Sequence, residues 1–185
     1  MTIVYLVRHA HAPFEPSEER PLSEAGRADA AALAKAFGTT ALSAIYSSPA
    51  RRALETIDPL ARSRGLRPEV VPDLRERELV VAAGATFEAT VEAAWRAPDL
   101  GVGGSESNRA AADRGRRVLQ EVLSAHGGEA VVLSTHGNLL ALILHGQDPT
   151  HGYETWRSMT FPDVYRLAFD GTKLLQVDRV WSELW

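Results

Sequence analysis

Cysteine is absent from this sequence of 185 residues. The fold therefore cannot depend on disulfide bridges or thiolate metal sites, and a thiol nucleophile is excluded. Internal repeats, low-complexity tracts and linkers are missing as well. The chain is 45% hydrophobic, which is enough to give a domain of this length a sizeable core. We therefore expect one domain over residues 1–185.

An excess of positive charge is also lacking, since 20 Lys and Arg residues face 24 Asp and Glu residues, for a formal net charge of −4. Nucleic acid and anionic membranes repel such a chain on average. Residues 1–7 lead into an apolar stretch without a basic leader or a hydrophobic segment long enough to cross a bilayer. The sequence therefore predicts a soluble cytoplasmic protein that binds neither nucleic acid nor membrane. Because the net charge is negative, arginines close to the binding site must supply the positive charge that holds any anionic substrate.

Short apolar segments rich in β-branched residues predict strands. The first segment, Thr2–Val7, ends two residues before His9, and the strongest segment is Ala130–Ser134. Further candidates are 43–46, 69–71, 164–169 and 173–180. The last two flank the dipeptide at Asp170 and Gly171, which is typical of a tight turn, so we predict an antiparallel hairpin there.

Helical patterns alternate with these strands. Ser23 is the predicted N-cap of a helix that runs to Gly38. Ser48 followed by Pro49 predicts the start of a second helix, which Pro59 is expected to kink or end. Later helices are predicted around residues 87–95, 111–122 and 137–145. Such alternation favours a mainly parallel sheet with helices on both faces and ligands at the carboxyl ends of the strands.

Two histidines follow predicted strands. His9 comes after the first strand and His136 after the strongest one, so a parallel sheet would bring both to the same edge. Taken alone, a histidine in such a place is more often structural than catalytic. The segments around the two histidines decide between these interpretations.

Five separated segments stand in the order of a known family: Leu6–Ala10, Ser47–Thr56, Leu74–Glu76, Gly103–Gly104 and Ser134–Asn138. Together they resemble the histidine phosphatase superfamily, in the branch that includes cofactor-dependent phosphoglycerate mutases and small bacterial phosphatases. The resemblance runs from residue 3 to about residue 140, and the final hairpin agrees with the family's fold. It implies a phosphoglycerate mutase-like α/β sandwich of three layers, in which a mainly parallel central sheet has helices on both faces and an antiparallel edge hairpin.

The resemblance also implies a nucleophile and its phosphate ligands. His9 is the implied nucleophile, and Arg8, Arg52 and His136 are the implied phosphate ligands. A phosphoryl group in transfer spreads negative charge over its oxygens, and a planar guanidinium group can hold two of them at once. Neighbouring arginines also favour the neutral, nucleophilic form of His9. We expect neither a cofactor nor a metal ion.

Neighbouring residues compete for some of these roles. Arg51 precedes Arg52, but the match to the family's Arg-Ala-x-x-Thr pattern selects Arg52, and on a helix the two side chains point about 100° apart. His11 either lines the substrate entrance or lies on the surface. A metal site at His9 and His11 is a further alternative, although carboxylates or cysteines at ligand spacing are missing.

Glu76 is the predicted general acid and base, which protonates the leaving alkoxide and then activates water against the phosphohistidine. Glu78 competes for this role, because side chains two residues apart face the same way in an extended segment. The family's glycine-containing continuation is missing from Leu79–Ala82. In the alternative interpretation, these carboxylates and the arginines beside them form a solvated charge cluster.

Residues 79–107 predict a small cap over the site, with Phe87 and Trp95 as its apolar lining. Trp156 and Phe161 either border the pocket or belong to the core. The mutases of the family carry additional segments that keep water from the phosphoenzyme, and 185 residues leave little room for them. We therefore expect a metal-independent phosphatase acting on a small phosphorylated substrate. The alternatives are a phosphohistidine or phosphoprotein phosphatase, mutase-type phosphoryl transfer and a noncatalytic phosphate sensor. The protein is expected to be a monomer or a homodimer.

Overall fold

The computed structural model describes residues 1–181, which form a mixed sheet of six strands in the order β3-β2-β4-β1-β5-β6. The strands are β1 (Thr2–Arg8), β2 (Ala44–Ser47), β3 (Glu69–Val70), β4 (Ala130–Thr135), β5 (Asp163–Asp170) and β6 (Lys173–Arg179). The first four are parallel to one another, and β5 and β6 run antiparallel at one edge. The predicted mainly parallel sheet with an antiparallel edge hairpin is confirmed.

Helices cover both faces of this sheet. They are α1 (Glu24–Ala36), α2 (Arg51–Arg64), α3 (Phe87–Arg96), α4 (Asn108–Ala125), α5 (Gly137–Gln147) and α6 (Tyr153–Ser158). Alternate side chains of β1 point to opposite faces, so Val4 and Leu6 join a core cluster with α4 and α5, whereas Val7 joins one with α1 and α2. The three layers predicted from the sequence are therefore present.

Close packing between α4 and α5 depends on a glycine. A Cβ atom on Gly115 would lie 2.7 Å from Cγ1 of Ile143, well inside van der Waals contact. The predicted apolar face of α4 is confirmed, since Ala111, Val118 and Val122 are buried beside this glycine. Tight packing of α5 against its neighbours holds the amino end of that helix in place at the edge of the sheet.

The second helix differs from its prediction at both ends. It begins at Arg51 with Ala50 as its N-cap, so Pro49 lies outside it, and Ser48 does not occupy the capping position. It also continues through Pro59 to Arg64, and the prediction that this proline ends it is wrong. Proline removes only one backbone donor, and burial of Ile57, Leu60 and Ala61 against the sheet offsets that loss.

Parallel pairing aligns the carboxyl ends of three strands. Arg8 on β1 pairs with Thr135 on β4, and Ser47 on β2 pairs with Ser134 of the same strand. Beyond the paired residues, the backbone amide of His9 still donates to the carbonyl of Thr135 at 3.0 Å. The residues that follow these strands are therefore held at one edge by the register of the sheet. Among the described helices, none has the length and apolar character that crossing a bilayer requires.

Candidate active site

His9 and His136 lie side by side at this edge. Their ring centroids are 5.1 Å apart, with the ring planes inclined by 67°. Both side chains are buried in the protein, 4% and 0% exposed. The fold therefore brings together two imidazoles that are separated by most of the chain.

The hydrogen bonds of His9 determine which ring nitrogen carries its proton. Nδ1 lies 2.8 Å from the carbonyl oxygen of Ala10, and because a carbonyl only accepts, Nδ1 is the donor and Nε2 holds the lone pair. Nε2 has no hydrogen-bond partner within residues 1–181. Burial, with the positive charges of Arg52, Arg8 and Arg20, lowers the pKa of His9 to about 3 despite the opposing effect of the Ala10 bond. The ring is therefore neutral at physiological pH.

The protonation state of His136 follows from the same reasoning. Nη2 of Arg52 lies 3.2 Å from Nδ1, and since a guanidinium group only donates, Nδ1 is an acceptor. The proton is consequently on Nε2, which donates to Oγ of Ser48 at 2.7 Å. Burial, with the positive charge of Arg52 among the further causes, lowers the pKa of His136 well below its usual value. His136 is thus a neutral imidazole held between Arg52 and Ser48.

Arg8 is fixed by contacts on several sides. Its guanidinium lies over the Phe161 ring, with Cζ 3.4 Å from the ring centroid, and its Nη1 donates to the carbonyl of Met159 at 3.0 Å. A Cβ on Gly137 would lie 3.1 Å from Cζ, so glycine at this position leaves the space that the guanidinium occupies. Desolvation lowers the pKa of Arg8 to about 10, and the group remains charged at neutral pH. Phe161, one of the aromatics left open by the sequence, therefore borders the site.

Arg52, and not Arg51, reaches the histidines. Arg52 is 5% exposed, and its Nε has no hydrogen-bond partner in the described part of the chain. Arg51 instead points outward, where its Nε bonds to Glu55 at 2.6 Å. Thr56 ties this helix to the first strand, because its hydroxyl accepts the amide of Ala10 and donates to the carbonyl of Arg52. One turn of α2 thus positions both a guanidinium and the backbone beside His9.

Glu76 lies at the amino end of α5. Its carboxylate accepts the backbone amides of Asn138 at 3.1 Å and Leu139 at 3.0 Å, two of the groups that have no partner within the helix. The backbone before Glu76 is fixed by the hydroxyl of Thr135, which donates to the carbonyl of Leu74 at 2.7 Å. Backbone amides two and three residues after His136 in the sequence therefore fix the position of the Glu76 carboxylate.

Glu78, the competing carboxylate, is exposed. Glu76, Arg77 and Glu78 all line the same cavity, and Arg77 is buried and donates to the carbonyl of Glu106. The structure places Glu76, but not Glu78, in hydrogen bonds with the residues that follow His136. Only the first is therefore fixed relative to the two histidines.

This cavity has a volume of about 570 Å³ and extends outward from Arg52 and Glu76. Its other walls are the loop from Phe14 to Arg20, Pro49 and residues 75–79. Phe87 and Trp95 do not line it, which corrects their prediction as its apolar lining. Phe87 lies against Trp156, and Trp95 against His145.

Sequence reasoning missed Ser48 and Arg20. The sequence predicts Ser48 as a helix cap, and its one signal for another role is the place of Ser48 after a strand, where His9 and His136 also lie. Arg20 lies in a polar loop without periodicity, and no local pattern distinguishes it from a surface residue. His11 is exposed and bonds through Nδ1 to Ser23 at 2.9 Å. Within residues 1–181, no three His, Asp or Glu residues are grouped so that they could hold a metal ion.

Comparison with known proteins identifies the family. The profile of the histidine phosphatase superfamily (branch 1) matches residues 4–174. The chain belongs to this superfamily. A metal-independent phosphoserine phosphatase of Arabidopsis thaliana is 34% identical to this histidine phosphatase over 161 residues, which cover 77% of the present chain and 67% of the relative.

Solved structures agree with this membership. YhfR of Bacillus stearothermophilus superposes with a TM-score of 0.78 at 27% identity, covering 95% of both chains. A mycobacterial glucosyl-3-phosphoglycerate phosphatase, solved with inorganic phosphate, superposes with a TM-score of 0.76 at 27% identity, again covering 95% of both chains. The present histidine phosphatase is accordingly a phosphoric monoester hydrolase.

Proposed function

We propose that this protein is a metal-independent phosphatase that hydrolyses small phosphomonoesters through a phosphohistidine on Nε2 of His9. The observation that carries the proposal is the state of the two rings. His9 is a neutral imidazole whose Nδ1 proton is engaged by Ala10, so the lone pair on Nε2 remains for attack. Arg8 and Arg52 place positive charge beside that nitrogen, where the phosphoryl oxygens must lie.

In the first step, Nε2 of His9 forms a bond to phosphorus while the bond between phosphorus and the leaving-group oxygen breaks. Glu76 in its protonated form donates the proton that the departing alkoxide requires. Arg8 and Arg52 stabilise the negative charge on the phosphoryl oxygens, and His136, whose Nε2–H donates to Ser48, holds Arg52 in place through Nδ1. In the second step, Glu76 takes a proton from water, the water oxygen bonds to phosphorus, and the bond to His9 breaks to release inorganic phosphate.

The substrate class follows from the cavity and from Glu76. A volume of about 570 Å³ accepts a small molecule beyond the phosphoryl group itself. An acid is needed most when the leaving group is a poor one, so an alkyl phosphate fits better than an activated ester. The 34% identical relative is named for phosphoserine, which is an alkyl phosphate.

We further propose that residues 79–107 form a small cap within a single domain. Leu79 contributes to the cavity wall. The amide of Val80 donates to Oγ of Ser105 at 2.7 Å, and the amide of Glu106 donates to the carbonyl of Glu78 at 2.9 Å. These bonds close the segment on itself beside the cavity, and such a short cap leaves water access to the phosphoenzyme. Hydrolysis is therefore favoured over transfer to a second hydroxyl.

Turnover of p-nitrophenyl phosphate and of a panel of alkyl phosphates, each with a metal chelator present, tests the proposed reaction. We expect free phosphate to be released and a rapid acid quench to trap an acid-labile phosphoenzyme on His9. Binding of phosphate without turnover would instead support a sensor. Conversion of 3-phosphoglycerate to 2-phosphoglycerate in the presence of a bisphosphorylated primer, without free phosphate, would support a mutase.

A further inference from the structure

Arg20 stands outside the segments that resemble the family, yet it lines the same cavity as Arg52 and Glu76. The backbone on both sides of it is bound to the first turns of α2. The carbonyl of Glu18 accepts the amide of Arg51 at 2.9 Å, and the amide of Leu22 donates to the carboxylate of Glu55 at 2.8 Å. The loop is thereby docked on the helix turn that carries Arg52, and this docking holds Arg20 in the wall of the cavity that Arg52 also lines.

The guanidinium of Arg20 is incompletely satisfied. Its Nη1 donates to the backbone carbonyl of Glu15 at 3.2 Å, and its Nε is buried without a hydrogen-bond partner among residues 1–181. It forms no ion pair with a described carboxylate; the nearby Glu18 instead lies 3.8 Å from Arg52. A buried N–H donor without an acceptor is unfavourable, and an anionic ligand that accepted it would offset that cost.

The positive charge of Arg20 influences the protonation of other groups in the site. It is among the causes, after burial, that lower the pKa values of His9, His136 and Arg52. An arginine that served only the outer part of a substrate would have little influence on two buried imidazoles, because Coulomb interactions fall off with distance. Together with its place in the wall of the cavity, this puts the charge of Arg20 within electrostatic range of both histidine rings.

We propose that Arg20 is a third guanidinium ligand of the transferring phosphoryl group, beside Arg8 and Arg52. The proposal rests on the function proposed above, since it assigns a further residue to the same site. A third guanidinium neutralises the charge of a phosphoryl group bound between two neutral imidazoles, neither of which supplies a full positive charge. Arg20 is then a catalytic residue and not a determinant for a second anionic group on the substrate.

The test is inhibition by inorganic phosphate, which has no second anionic group. We expect Arg20→Gln to raise the inhibition constant of phosphate against p-nitrophenyl phosphate by about 10-fold to 100-fold, the loss of one charge-assisted hydrogen-bonding pair. The value of kcat/KM should fall by a similar factor for p-nitrophenyl phosphate and for 3-phosphoglycerate. Arg20→Lys keeps the charge but loses the planar fork, so it should lie between the wild type and Arg20→Gln.

Arg62→Gln is the matched control, because it changes the net charge equally on an exposed residue of α2 that pairs with Asp58. Its phosphate inhibition should stay within about twofold of the wild type. Unchanged phosphate inhibition in a folded Arg20→Gln or Arg20→Lys variant, with losses confined to 3-phosphoglycerate, would overturn the assignment. Calorimetric titration with phosphate keeps the two proposals distinguishable, since it measures the effect of Arg20 even if the wild type forms no phosphoenzyme.

Discussion

The inner end of the site, at the two histidines, and its outer end, at the mouth of the cavity, are built in different ways. At the inner end, His9, Arg52 and His136 follow strands or start helices of the central fold, and all three are buried. At the outer end, residues 14–18 and 78–81 carry mostly exposed side chains, with Phe14 90% exposed. The register of the sheet fixes the proposed reacting groups, whereas loops supply the surface that we expect a substrate to meet first. Chemistry and substrate preference should therefore respond separately to mutation.

Removing the nucleophile is the largest expected change at the inner end. His9→Ala should lower turnover of p-nitrophenyl phosphate by about 10³-fold or more, because no other group can form the phosphoenzyme. The nearby His11→Ala serves as control, since the exposed His11 side chain bonds only to Ser23 within residues 1–181 and contacts Phe161. Its kcat should stay within about threefold of the wild type. Comparable losses in both variants would remove His9 from its proposed role.

Substitutions at Glu76 and Glu78 test whether the first carboxylate belongs to the inner end of the site and the second to its outer end. Glu76→Gln should lower kcat for an alkyl phosphate by about 10²-fold to 10⁴-fold, and for p-nitrophenyl phosphate by much less, because only the alkoxide requires a proton. Glu78→Gln should affect the two substrates alike and weakly. An equal loss of kcat for both substrates in Glu76→Gln, measured on a folded variant, would show that this carboxylate serves only α5.

The buried imidazoles predict a pH dependence of stability. The pKa of His9 is about 3 in the folded protein, and that of His136 is lowered as well, whereas both are near 6.5 in the unfolded chain. The unfolded state thus binds protons that the native state excludes, so the free energy of unfolding should fall as the pH drops below about 6.5. Each histidine contributes up to about 1.4 kcal/mol per pH unit.

Urea unfolding between about pH 7 and pH 5 measures this slope. Replacing either ring, as in His136→Gln, should reduce the slope by up to one proton per molecule. A slope that both single variants leave unchanged would mean that these rings are not excluded from protonation in the native state.

Ser48 tests a smaller, indirect contribution at the inner end. Ser48→Ala removes the acceptor of the His136 Nε2 proton, and we expect kcat/KM to fall by about tenfold as the ring loses its fixed tautomer and orientation. Nitrogen NMR of the imidazole should show a single Nε2-protonated tautomer in the wild type and a mixture in the variant. A lowered melting temperature with an unchanged tautomer would indicate that Ser48 only supports packing.

The smallest effect is expected at the outer end. Phe14→Ala removes an exposed ring beside Arg20, so it should change KM by a few-fold, by an amount that depends on the substrate, and leave kcat nearly unchanged. Steady-state kinetics on p-nitrophenyl phosphate and an alkyl phosphate separate the effect on KM from the effect on kcat. A fall in kcat as large as that of Ser48→Ala would mean that the loop shapes the reacting centre as well.

Much of the fold could be predicted because its signals are local. β-branched runs, capping residues such as Ser23 and the turn at Asp170 all act within a few residues, and each produced the predicted element. The placement of His9 and His136 at one edge also followed, since parallel strands align their carboxyl ends. Pro59 does not end α2, because its cost is local while the compensating burial involves residues distant in sequence.

Sequence alone thus determined the layers of the sandwich, the edge at which the site lies and the identity of its two imidazoles. Tertiary structure decided the rest: that Ser48 bonds to His136 instead of capping a helix, that Glu76 is held by the amides of α5, and that Arg20 reaches the cavity. Each of these contacts joins residues from separate elements, and its geometry depends on how the whole core packs. The periodicity of hydrophobic residues along the chain does not specify the distances between residues of separate elements.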